Sequence, residues 1–129
     1  MTFSWSDYLV LAQELADPIS VSASTEARLR ASISRAYYAA FCSARNHLRD
    51  VDGDALAATK TRGVHEYVRR AFKKSPTPAR QRIGSDLSRL WRARISADYH
   101  DVFPGLESRT TVTLTYGSRV LYNLASLSS

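Results

Sequence analysis

The chain reads as an all-α protein, an antiparallel bundle of about five helices. Three observations predict this. Apolar residues recur at helical spacing in five stretches, short connections holding Pro or Gly separate them, and the one stretch that alternates like a strand has no second strand to pair with. At 129 residues the chain has the length of one compact domain, residues 1 to 129, which excludes a large multidomain enzyme or a solenoid of several repeats. Its 44% hydrophobic content can form a core, and its 23% charged content argues against wholesale disorder.

Ser4 and Asp7 form a helix-starting capping pair ahead of Tyr8, Leu9, Ala12, Leu15 and Ala16, and Asp17-Pro18 ends this first helix. A second helix starts between Ser22 and Thr25. Its stripe, Leu29, Ile33, Ala36, Tyr37, Ala40, Phe41, Ala44 and Leu48, is the strongest periodic signal in the chain and runs to the polar turn Asp50 to Asp54. Leu56, Val64, Tyr67, Val68, Ala71 and Phe72 predict one third helix, with Gly63 as its weak point. Thr77 as cap and Pro78 at the first helical position open a fourth, carrying Ile83, Leu87, Leu90, Trp91, Ile95 and Tyr99 until Pro104-Gly105 stops it. Residues 110 to 116 alternate like a strand, but a lone strand leaves its backbone unpaired; a fifth helix through Val120, Leu121, Leu124 and Leu127 is expected, starting between 109 and 118.

The net charge is +6, and it is unevenly spread. Residues 60 to 94 hold eleven Lys or Arg against two acids, Glu66 and Asp86, a formal +9, so the rest of the chain is net acidic. Positive charge concentrated on the third and fourth helices suits a polyanion such as RNA, with Arg35, Arg89 and Arg92 as candidate contacts, although ordinary solvated helix faces carry such runs too.

Several chemistries are disfavoured. One cysteine, Cys42, cannot form an intramolecular disulfide and reads as a small buried hydrophobe. Three scattered histidines predict no metal site, and the dispersed glycines build no phosphate-cradling loop, so no cofactor is expected. The N-terminus lacks the pattern of a signal peptide and no apolar run is long enough to span a bilayer, so a cytoplasmic protein without a membrane partner is expected. His47 reads as a solvent-facing or bundle-edge residue and His65 as part of a helix surface. Tyr37, Phe41, Trp91 and Tyr99 read as core or interface aromatics, and Arg35 as a brace on a neighbouring helix or carboxylate.

The segment Arg94 to His100 joins a permanent cation to a group that exchanges protons near neutrality. Arg94 extends the Ile83, Leu87 and Leu90 stripe, where a guanidinium needs a partner, and Asp98 one turn later can supply it. On a regular helix His100 lies about 240° around from Arg94, so the two share a face only if the helix distorts or ends, or if a second subunit contributes. Both readings stand at this point: an ion-paired Arg94 with a terminal His100, or an RNA-cleaving pair in which His100 moves protons and Arg94 stabilises phosphoryl charge.

Two segments carry a family resemblance. Ser34-Arg35-Ala36-Tyr37-Tyr38-Ala39-Ala40-Phe41 and Leu90-Trp91-Arg92-Ala93-Arg94-Ile95-Ser96-Ala97-Asp98-Tyr99 resemble the HEPN superfamily, small helical domains named for higher eukaryotes and prokaryotes nucleotide-binding, in a helix order covering roughly residues 5 to 127. The resemblance implies a homodimer with a two-fold axis and, in many members, a metal-independent ribonuclease whose Arg and His, four to six residues apart, work at the dimer interface. Arg94 and His100 match that motif with five residues between them, Asp98 and Tyr99 supporting. Catalytic members often place Asn, Asp or His directly after the Arg, where Ile95 stands here. Toxin members paired with a minimal nucleotidyltransferase antitoxin carry a modifiable Tyr two residues after the His; here that position is Val102. Noncatalytic members that bind nucleotides or protein partners are the alternative the resemblance also implies.

Overall fold

The structure, a computed structural model, describes residues 3–17 and 24–127. Six helices are arranged around the second: α1 (Asp7–Ala16), α2 (Thr25–Asp50), α3 (Ala55–Thr59), α4 (Val64–Lys73), α5 (Pro78–Tyr99) and α6 (Leu106–Leu127). No strand occurs among the described residues. The 26-residue α2 packs against every other helix. Its sequence explains why: all eight residues of the periodic stripe are buried, and the alanines among them let helices approach from several sides.

The main core lies between α2, α4, α5 and α6, where Tyr37, Phe41, Leu48, Val68, Phe72, Ile83, Leu87, Leu90, Val120 and Leu124 pack together. A smaller cluster of Leu9, Ala12, Ala36 and Ala39 seats α1. Cys42 is buried, and its burial pushes the thiol pKa up to about 11, as expected of a hydrophobe rather than a nucleophile.

Four features of the helices differ from the sequence reading. First, the expected third helix is two, because Gly63 adopts φ +67° and breaks the chain between α3 and α4. Asp54 repairs the junction by capping Leu56 N at 3.1 Å and accepting from the Tyr67 hydroxyl at 2.5 Å.

Second, α6 starts at Leu106, ahead of the expected range, and takes in the whole strand-like run. Thr110, Thr111, Thr113 and Thr115 each donate their hydroxyl to the carbonyl four residues back, at 2.6 to 3.3 Å. These bonds satisfy groups that otherwise compete with a helix, and burial of Thr110 and Thr113 outweighs their weak propensity.

Third, Ser4 is not a cap for Asp7: its hydroxyl bonds that of Ser6, and no side chain caps α1. Fourth, Thr77 holds the N-cap position with Pro78 following, yet its hydroxyl lies against Ser75 rather than capping the helix.

Two arginines on α2 close other helices, a role the sequence reading missed. Arg28, buried, donates to the carbonyls of Leu15 and Asp17 at 2.8 and 3.0 Å, finishing α1. Arg30 donates to the carbonyls of Ala97, His100 and Asp101 at 3.0, 2.6 and 3.1 Å, finishing α5. A cation placed on the orphan carbonyls of a helix end also opposes the negative end of its dipole. Arg30 therefore fixes where the chain leaves α5, and with it the backbone of His100.

Candidate functional site

The two segments that carry the family resemblance face each other across the seam between α2 and α5. Arg94 donates from Nε to Asp98 Oδ2 at 2.8 Å and from Nη2 to the Tyr38 hydroxyl at 2.9 Å. Ser34 donates to the same carboxylate oxygen at 3.3 Å. The guanidinium carbon lies 5.3 Å from the Tyr38 ring centre, 5.5 Å from Tyr99 and 6.0 Å from Tyr37. With its side chain only 14% exposed, Arg94 is a nearly enclosed cation held by one carboxylate, one phenol and three rings.

His65 belongs to this cluster, which corrects its reading as plain helix surface. Its ring stacks on Phe41 with centres 4.2 Å apart, and its Nδ1 is 2.5 Å from the Tyr37 hydroxyl. Burial, helped by the positive charges of Arg94 and Arg69, lowers its pKa below the usual histidine value, so it is neutral at pH 7. Tyr37 is fully buried, and that burial raises its pKa well beyond the ordinary phenol range despite Arg69 and Arg94 nearby. A signal for His65 existed: it precedes Val68 by three residues and Phe72 by seven, on the stripe that α4 turns to the core.

His100 sits elsewhere. The helix ends at Tyr99, and His100 is extended, with φ −90° and ψ 128°, its N–H bonded to Ser96 O. It is exposed and lines a shallow depression with Ser96, Val102, Phe103, Pro104 and Arg109. No hydrogen bond or ring contact joins it to Arg94 among the described residues. Tyr99, expected in a core or interface, is 67% exposed, and Val102 is 77% exposed, so an apolar edge flanks His100 on both sides.

The other arginines divide by role. Arg35 meets no carboxylate among the described residues; it lies over Tyr8 at 5.2 Å and Tyr38 at 5.9 Å, bracing α1 on α2. Arg89 pairs with Asp86 at 2.9 Å. Asp86 is itself buried and also receives two bonds of 2.7 Å from Arg119, tying α5 to α6. Arg92 is exposed, with no carboxylate partner among the described residues. His47, expected at a solvent-facing or edge position, is buried against Phe72, and burial lowers its pKa despite Asp52 at 3.8 Å.

Among the described residues no three His, Cys, Asp or Glu side chains gather as metal ligands, and no helix is long and apolar enough to cross a membrane. No protein-family model, curated protein or solved structure matches this chain.

Proposed function

We propose that this protein is a HEPN-like, metal-independent endoribonuclease working as a two-fold homodimer, with Arg94 and His100 as its catalytic residues. The observation that carries this reading is the seam itself. The two segments resembling the family meet through Tyr38 with Arg94 and Ser34 with Asp98, so the motif arginine is held rigidly while the motif histidine is left exposed just past the helix end. Within one protomer the pair is apart, and the exposed Tyr99 and Val102 supply an apolar edge on which a second copy brings its own His100 close.

In the reaction the 2′-hydroxyl of the RNA attacks the adjacent phosphorus. One His100 takes the hydroxyl proton, the bond from phosphorus to the 5′ oxygen breaks, and the second His100 returns a proton to that oxygen. Arg94 stabilises the charge that grows on the nonbridging oxygens. The products are a 2′,3′-cyclic phosphate and a 5′-hydroxyl. A minimal nucleotidyltransferase antitoxin is the partner this reading suggests, acting by association, since Val102 occupies the position of the modifiable tyrosine.

A noncatalytic nucleotide-binding or protein-interaction module is the second reading, favoured by the fact that Asp98 already answers the charge of Arg94. Cleavage of an RNA pool in EDTA separates the two. His100→Ala and Arg94→Ala each lower the rate about 10²-fold or more while keeping wild-type helicity and dimer mass. An inert wild type, or an unchanged rate in His100→Ala, favours the second reading.

A further inference from the structure

The charge excess of residues 60 to 94 is not spread evenly over the folded surface. Of its eleven cations, four have carboxylate partners: Arg70 with Glu66, Arg80 with Asp52, Arg89 with Asp86 and Arg94 with Asp98. The other seven have none among the described residues. Three of those seven, Arg69, Lys73 and Arg92, together with the weakly paired Arg70, line one open cleft of about 240 Å³ between α4 and α5, whose walls also include Trp91 and Ser88.

We propose that this cleft binds the phosphodiester backbone of RNA. The inference rests on the ribonuclease reading for the identity of the ligand, and on the cleft for its place.

Three features support it. Glu66, the one acid in the cleft, bonds Arg70 at 3.5 Å, which leaves three cations unanswered. The dipole of α4 does not account for them either: Arg70 and Lys73 stand in its last turn and Lys74 follows, whereas a helix C-terminus carries only about half a negative charge.

The geometry is also held in place. A Cβ on Gly84 lies 2.7 Å from both the Cγ and the backbone N of Lys73, so the two helix backbones nearly touch at the Lys73 end and only glycine fits there. At the other end the Arg69 guanidinium carbon lies 4.4 Å from the centre of the Trp91 ring, a cation–π contact that holds the arginine on the cleft wall.

Finally, Arg69 joins the cleft to the seam. Its Nη1 is buried without a hydrogen-bond partner among the described residues, and its charge acts on Tyr37 and His65 together with that of Arg94. A strand lying along the cleft thus arrives beside the Arg94 cluster, with Arg69 between the two.

The test uses the full chain and a labelled 2′-O-methyl oligouridylate, which has no free 2′-hydroxyl and so reports binding without turnover. Anisotropy titrations are run on wild type, Lys73→Gln, Arg92→Gln and Arg49→Gln, the last an equal charge change outside the cleft, on a half-buried residue at the end of α2 that pairs with Asp50. The expected result is a loss of about 3- to 10-fold in affinity for each cleft variant and a salt slope shallower by about one, with Arg49→Gln within about twofold of wild type. Equal effects in all three variants, or no binding by wild type, overturn the proposal. So does equally tight, cleft-dependent binding of polyglutamate, which assigns the cleft to an acidic protein. The two readings fail separately: cleft-dependent binding by a protein that never cleaves unmodified RNA leaves the cleft standing without the nuclease, and cleavage with binding indifferent to Lys73 and Arg92 does the reverse.

Discussion

Helix α5 presents two arginines, two residues apart, to opposite fates. Arg94 faces α2 and is nearly enclosed, its charge met by Asp98, its Nη2 by Tyr38 and its faces by three tyrosine rings. Arg92 faces the cleft toward α4, exposed, with cations as its neighbours. The seam spends its polar groups on one another and gains rigidity. The cleft leaves like charges close together with one carboxylate, Glu66, among them, which costs stability that a bound anion would offset. An internally paired cation and an open cationic surface are thereby placed on two sides of one helix.

The comparison breaks most visibly at Tyr37. Tyr37→Ala removes a fully buried ring from the centre of the seam and leaves His65 without its phenol, so stability falls by about 3–5 kcal/mol in urea unfolding. Asp98→Ala leaves a nearly enclosed guanidinium without its carboxylate and is expected to cost about 1–2 kcal/mol in the same measurement, since Arg94 keeps Tyr38 and some access to water. Lys73→Gln and Arg92→Gln sharpen the contrast from the other side. Neither cation has a carboxylate to lose, so each variant unfolds within about 0.5 kcal/mol of wild type while RNA affinity falls. A cleft variant that unfolds as easily as Asp98→Ala erases the distinction.

A smaller effect follows from protonation. The pKa values of His65 and His47 are both lowered by burial, so the folded protein holds them neutral where the unfolded chain begins to take up protons, near pH 6.5. Their contribution is complete above that pH and is lost as pH falls through the lowered folded values. The melting temperature should therefore drop between about pH 7 and pH 5, and His65→Asn should flatten the drop. An identical slope in that variant removes His65 from the account.

Periodicity made the helical class, α2 and the stripe of α5 legible in the sequence, because burial of one face repeats locally. What it left out depends on partners far along the chain. Arg30 acts on carbonyls about 70 residues away, and His65 finds Tyr37 28 residues back, so neither leaves a local pattern strong enough to name its contact. The break at Gly63, with φ +67°, was marked by the glycine, but the bond that spans it, from Tyr67 to Asp54, joins residues 13 apart and leaves no local pattern. The threonine run misleads for a simpler reason: alternation and β-branching favour a strand, while hydroxyls bonded four residues back and two buried threonines favour the helix that forms. Of the candidate site, the pairing of Arg94 with Asp98 follows from their spacing on one helix. The enclosure of Arg94 by Tyr37 and Tyr38 required two segments to meet.

The most direct test of the central claim is the chemistry of the cut ends. Purified protein is incubated with an RNA pool in EDTA, and the fragments are analysed by mass spectrometry, with DNA of the same sequence alongside. Attack by the 2′-hydroxyl leaves a 2′,3′-cyclic phosphate, or the 3′-phosphate from its hydrolysis, opposite a 5′-hydroxyl, and DNA stays intact. Fragments ending in 5′-phosphate and 3′-hydroxyl, cleaved DNA, or no fragments at all contradict the assignment of Arg94 and His100.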